Sequence, residues 1–131
     1  MSFFGNLSLP LFQNNKTMPY TKFKVVLMDE ARNFLKSLPQ DVQQKITYNF
    51  NKVAAGFSNV ELFKKLESSD IWEFRTLYKG IAYRLFAFWD KEAETLVVAT
   101  HGIIKKTDKT PAKEIAKAEN TRKIYFDNKK G

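Results

Sequence analysis

The chain has 131 residues, 44% of them apolar and 15% aromatic, a net charge of +8, and no cysteine. That length and apolar content call for one folded domain with a real core and exclude a disordered tail. The missing cysteine excludes disulfides, thiolate metal sites and cysteine nucleophiles, and the positive charge asks for an anionic partner, above all nucleic acid.

Residues 1–20 read as an N-terminal extension and residues 21–131 as the domain. The extension carries Phe3, Phe4, Leu7, Leu9, Leu11 and Phe12 before a polar break at Gln13, Asn14, Asn15 and Lys16. It lacks the basic start and long apolar core of a signal peptide. Two readings stand: an arm that packs on the domain or a partner, or a loosely ordered extension with Met18 as an alternative start. No apolar run reaches the length needed to cross a bilayer. A cytoplasmic protein without membrane contact is the expectation.

Thr21 to Met28 alternates Phe23, Val25 and Leu27 with Lys22, Lys24 and Val26, which predicts a strand with one buried face. Asp29 then suits a helix N-cap, and the helix to Leu38 would bury Ala31, Phe34, Leu35 and Leu38. Pro39 closes it and can occupy the first position of a second helix. There Val42, Ile46, Phe50 and Val53 fall at helical spacing, and Gly56 is the stop. Phe57 to Ser69 reads as a connection holding Lys64 and Lys65. Ile71 to Tyr78 predicts a second strand, with Trp72, Phe74, Thr76 and Tyr78 on one face and Glu73, Arg75 and Leu77 on the other.

Lys79-Gly80 is a tight-turn signal. Ile81 to Trp89 is apolar on both faces apart from Arg84, as a central strand would be. Asp90 to Glu94 is a charged turn, and Leu96 to Ile104 is the fourth strand. A last helix from Ala112 to Tyr125 is weakly amphipathic, and Asp127 to Gly131 reads as a polar tail. The fold class is therefore α+β: a small antiparallel sheet in β-α-α-β-β-β-α order with helices packed on it.

Chemistry concentrates in the second half. A two-residue turn would pair Tyr78 with Ile81, Leu77 with Ala82 and Arg75 with Arg84. Like charges opposed across a ladder repel, so an anion between them or a carboxylate such as Glu73 must compensate. A phosphate clamp and a structural ion pair to Glu67, Glu73 or Asp70 both satisfy that demand. The segment Leu96 to Pro111 runs from an apolar strand into Lys105, Lys106 and Lys109, placing cations at the end of a rigid element. With the arginines they would suit RNA backbone binding and the charge of a pentavalent phosphate. His101, the chain's single histidine, can act as acid or base near neutrality, or serve as a buried residue bonded to the backbone. Trp72, Phe74, Tyr83 and Phe86 can stack bases or fill the core. No phosphate-binding glycine loop, dinucleotide fingerprint, histidine pair for a metal or serine-nucleophile motif is present, so no metal or cofactor is expected.

The segments LFKKLESSDIWEFRTLYKGIAYRLFAFWD and HGIIKKTDKTPAKEIAKAENTRKIY resemble the RelE/ParE toxin superfamily, most closely its HigB-like, phage-derived branch. The likeness covers about Thr21 to Tyr125. It rests on K-x-L, W-E-x-R, Y-R and H-G-x-x-K-K-T-x-K-T-P followed by a charged helix. It implies the toxin of a type II toxin–antitoxin system that cuts mRNA on the ribosome without a metal, held in check by an antitoxin of the helix-turn-helix kind. In that chemistry the 2′-hydroxyl attacks the phosphate while a base, cations and an acid assist. Arg75 would hold the phosphate, with Arg84 in a phosphate or structural role. Lys105 and Lys106 would serve transition-state charge or proton transfer, Lys64 and Lys65 would contact RNA beside Lys109, and His101 matches the motif histidine. The chain departs from members that carry a histidine pair or a late tyrosine near the phosphate, since Tyr125 lies far along the last helix. The resemblance also admits a ParE-like gyrase inhibitor and an inactive binder of nucleic acid or antitoxin.

Overall fold

The computed structural model describes residues 22–57, 59–93, 96–106 and 109–130. The extension expected over residues 1–20 lies outside them. The elements are β1 (Lys24–Leu27), α1 (Asp29–Lys36), α2 (Gln40–Ala54), β2 (Phe63–Lys65), β3 (Trp72–Tyr78), β4 (Ile81–Asp90), a 3-10 turn (Lys91–Ala93), β5 (Leu96–Lys105) and α3 (Ala112–Lys130). The sheet order is β1-β5-β4-β3-β2. β1 runs parallel to β5, and every other pairing is antiparallel.

The α+β class, the expected element order and the β3–β4–β5 meander are all present. The sheet is mixed, because β1 adds in parallel at one edge. It also holds a strand that the sequence hides: β2, three residues long, sits inside the expected connection. Its short run cannot show a period, and only pairing with β3 makes it a strand.

Alternation along the strands divides two cores. Val25, Leu27, Phe74, Tyr83, Leu85, Ala87, Val97 and Ala99 face α1 and α2, where Ala31, Leu35, Val42, Ile46, Phe50 and Val53 complete one cluster. Phe86, Phe88 and Val98 face the other way and meet Ala118 of α3, with Ile115, Tyr125 and Phe126 packed at the margin. β4 is thus covered on both sides, as its double apolar pattern demands.

Helix ends differ from expectation in small, explicable ways. Asp29 is not the N-cap: Met28 holds that position without a side-chain bond, and Asp29 lies in the first turn, 2.7 Å from Arg32. Pro39 is itself the N-cap of α2, one position before the place expected. Gly56 does end α2, with φ of 110° just past the C-cap. α3 continues through the expected polar tail to Lys130, because Tyr125 and Phe126 pack on Phe88 and carry the helix onward.

Candidate functional site

The hairpin register matches the two-residue turn. Lys79 and Gly80 adopt φ of 52° and 79°, the left-handed pair such a turn requires. Arg75 therefore pairs with Arg84, Leu77 with Ala82 and Tyr78 with Ile81. Register across the sheet sets three rows on the face that also carries α3. His101, Phe86, Glu73 and Lys64 form one, Ile103, Arg84 and Arg75 the next, and Lys105, Ala82 and Leu77 the last.

A bulge puts His101 on this face. Phe86 pairs with His101 and Ala87 with Ala99, so Thr100 is the extra residue of β5. Without it, the alternation that points Val97 and Ala99 at α1 and α2 would carry His101 there too. The same shift turns Gly102 toward α1, where any Cβ would overlap the ring of Phe34.

Between the two arginines sits Glu73, 2% exposed. Its Oε1 is 3.5 Å from Arg75 Nε and 3.4 Å from Arg84 Nε. Neither Nε–H is aligned well enough for a hydrogen bond, so the cluster is held by charge more than by direction. Thr110 donates to Glu73 Oε2 at 2.8 Å. The arginines differ in access. Arg84 has a side chain 10% exposed and donates from Nη1 to Tyr83 O at 3.2 Å, and burial lowers its pKa. Arg75 keeps 27% of its side chain in solvent and donates from Nη1 to Val60 O at 3.3 Å.

The first turn of α3 stops over the row of His101. The ring is 2% exposed, with Nδ1 2.8 Å from Thr100 Oγ1 and Nε2 3.0 Å from Glu114 Oε1. A neutral ring with its proton on Nε2 satisfies both partners, since the threonine hydroxyl can donate to Nδ1. Burial lowers the pKa against the pull of Glu114, and Lys117 lowers it further. His101 thus fastens α3 to β5 and does not open onto the surface.

Beyond that turn the sheet face is uncovered by helix. Arg75, the edge of Arg84, Lys105 and Leu77 form a cationic shelf, and Lys106 follows at the end of β5, exposed. Lys109 is exposed in the loop that Thr110 closes onto Glu73. Lys64 shares the face through its pairing with Glu73, whereas Lys65 pairs with Trp72 and turns to the opposite side. The sequence singled out the arginines and lysines. It did not single out Thr110 or Glu114, whose importance comes only from α3 folding back on the sheet.

Tyr125 belongs elsewhere. Its hydroxyl donates to buried Asp90 Oδ2 at 2.6 Å, and burial followed by Asp90 pushes its pKa up to about 12. Asp90 lies six positions along β4 from Arg84, roughly 20 Å at the rise of a strand. A surface groove at that end is lined by Lys65, Trp72, Trp89, Arg122, Phe126 and Lys129, among others. Several cations there are matched by carboxylates: Arg122 by Asp70 at 3.7 Å, Lys123 by Asp127 at 3.1 Å and Lys129 by Asp90 at 2.7 Å. No group of three or more His, Asp or Glu able to hold a metal occurs among the described residues.

No curated protein matches the chain significantly. Among solved structures, the toxin–antitoxin complex RelBE2 from Mycobacterium tuberculosis is similar at 24% identity and a TM-score of 0.46, covering 69% of this chain and 95% of that one. The profile of the phage-derived Gp49-like proteins (DUF891) matches residues 33–123. That span is well over half the chain and contains every residue of the shelf, so the chain belongs to the phage-derived Gp49-like family.

Proposed function

We propose that this protein is the toxin of a type II toxin–antitoxin system, of the RelE/ParE superfamily and its HigB-like branch, and that it cuts mRNA on the ribosome. The observation that carries this reading is Arg75: the accessible member of a charge cluster whose other members are buried, standing on the same sheet face as Lys105, two strands away. The W-E-x-R and H-G-x-x-K-K motifs supply exactly those positions to the resemblance, and both fall within the family match.

In this reading a phosphodiester lies on Arg75. The 2′-hydroxyl of the upstream ribose gives its proton to a general base and attacks phosphorus, the pentavalent phosphate gains charge, and the 5′-oxygen leaves and takes up a proton, with a 2′,3′-cyclic phosphate left behind. Lys105 and Lys106 stabilise that charge or carry the leaving-group proton. Glu73, itself held by Arg84, keeps Arg75 in place, and His101 fixes α3, so all three act by positioning. In this reading the ribosome aligns the RNA on the shelf and supplies the orientation that the reaction needs. The antitoxin, a protein with a helix-turn-helix domain, would cover the shelf with carboxylates. Catalysis needs no metal or cofactor on this account, and the site of action is the cytoplasm.

Induced expression in bacteria tests the proposal. Wild type should arrest growth with loss of translation, and Arg75→Ala should fold and be harmless. Full toxicity of Arg75→Ala contradicts the assignment. Arrest with DNA damage and intact mRNA selects gyrase inhibition, and harmless wild type selects an inactive binder.

A further inference from the structure

The sheet end that holds Asp90 also receives the chain. β1 starts at Lys24, whose partner on β5 is Leu96, and Leu96 pairs in turn with Asp90 of β4. Phe23, the residue before β1, places its ring 4.8 Å from Trp89 and 5.8 Å from Phe63, and Phe63 stacks on Trp72 at 4.7 Å. Trp72 and Trp89, 6.2 Å apart and edge to face, are the chain's two tryptophans. Both are half-buried, and both line the surface groove at this end, with Phe126 on its α3 side. Residues 1–22 therefore join the domain beside an open aromatic groove, and grouped exposed aromatics mark a surface that something covers.

We propose that residues 3–12 of the same chain occupy this groove, laying their phenylalanines and leucines on Trp72, Trp89 and Phe126. Composition, reach and tethering select this occupant. The segment holds Phe3, Phe4, Leu7, Leu9, Leu11 and Phe12 and not one charged residue. At the groove Arg122, Lys123 and Lys129 already have carboxylate partners, so an uncharged occupant leaves those pairs intact. Residues 13–22 can span about 33 Å when extended, ample for a segment that starts beside Phe23. A short flexible linker supplies an effective concentration of about a millimolar. A segment whose free form binds at about 100 μM would then be docked in roughly nine molecules of ten. A separate protein must meet the groove without that advantage. The inference stands apart from the RNA reading and uses none of its residues.

Because both tryptophans line the groove, their fluorescence reports on it directly. The test compares the full-length protein with a full-length Phe3→Ser/Phe4→Ser/Leu11→Ser/Phe12→Ser variant, whose circular dichroism should match wild type. The variant should emit at longer wavelength and be quenched more strongly by acrylamide. A peptide of residues 1–16, added at about a millimolar, should reverse both changes in the variant and leave wild type unaltered. Wild-type emission should not change on dilution, as docking within one chain requires. Identical emission and quenching in the two proteins would overturn the proposal and leave the groove to a separate partner. A variant that the peptide fails to restore would overturn it as well. So would a red shift of wild type on dilution, which would assign the groove to the segment of a second copy.

Discussion

Arg75 and Arg84 face each other across one ladder, yet they answer to different demands. Glu73 neutralises both, but Arg84 is buried with it while Arg75 leads into solvent. Truncating Arg84 takes the more buried partner from Glu73 and opens a gap beneath it, while Arg75 and Thr110 stay in place; Arg84→Ala should therefore lose about 1–2 kcal/mol of stability, measured by urea denaturation. Arg75→Ala should leave the denaturation midpoint nearly unchanged while removing function. The pairing of the arginines was legible in the sequence, because a two-residue turn dictates register. So was the need for a compensating charge, with Glu73 among the candidates. That one carboxylate serves both arginines was not legible, because it depends on where the side chains settle, and neither was the help of Thr110, which arrives from 37 residues away.

His101 makes a second prediction at this scale. Its folded pKa lies below the ordinary histidine value, chiefly through burial, with Glu114, Lys117 and Glu30 as the charged groups around it. The unfolded chain therefore binds the proton more readily. The stability due to this group is fully present above about pH 6.5 and is lost as pH falls through the lower, folded pKa. Denaturation midpoints should drop between neutral and mildly acidic buffer, and His101→Gln should flatten that slope. A slope unchanged in the variant would remove His101 from the account of α3 docking.

At the scale of elements, the bulge in β5 has the widest consequence. One extra residue, Thr100, swings His101 to the side of α3 and brings Gly102 against Phe34 of α1. Nothing in the apolar pattern of Leu96 to Ile104 reveals the change of phase, since β-branched residues occupy both faces. Gly102 is the one sequence mark of it. Gly102→Ala should destabilise the fold by about 1–3 kcal/mol through overpacking, and Phe34→Leu in the same chain should recover part of that loss. Equal stability of Gly102→Ala and wild type in thermal denaturation would show that α1 has room to move. α2 was the most legible element, its four periodic apolar residues all buried, because a long amphipathic helix states its own buried face. α3 was the least legible beyond its start. It is anchored by polar bonds, His101 to Glu114 and the backbone of Asp70 to Glu119, and by an ion pair of Lys117 with Glu30, as well as by a thin apolar stripe.

At the scale of the molecule, the division of labour is between ends of one sheet. The end holding Asp90, Tyr125 and Lys129 is locked by internal ion pairs and hydrogen bonds. At the other end, before α3 begins, Arg75, Lys106 and Lys109 reach the surface and Leu77 is exposed. RNA affinity should accordingly fall steeply with salt in wild type, and the slope should shrink in a Lys105→Ala/Lys106→Ala variant as phosphate contacts are lost. Fluorescence anisotropy over a salt series reads both.

The central claim is that Arg75 presents an mRNA phosphate for cleavage on the ribosome. Primer extension on a reporter mRNA in a bacterial translation extract, with wild type and Arg75→Ala side by side, tests it most directly. Codon-phased cuts that need ribosomes and vanish in the variant are the predicted result. Intact mRNA in the presence of the wild-type protein, or the same cuts with Arg75→Ala, would contradict it.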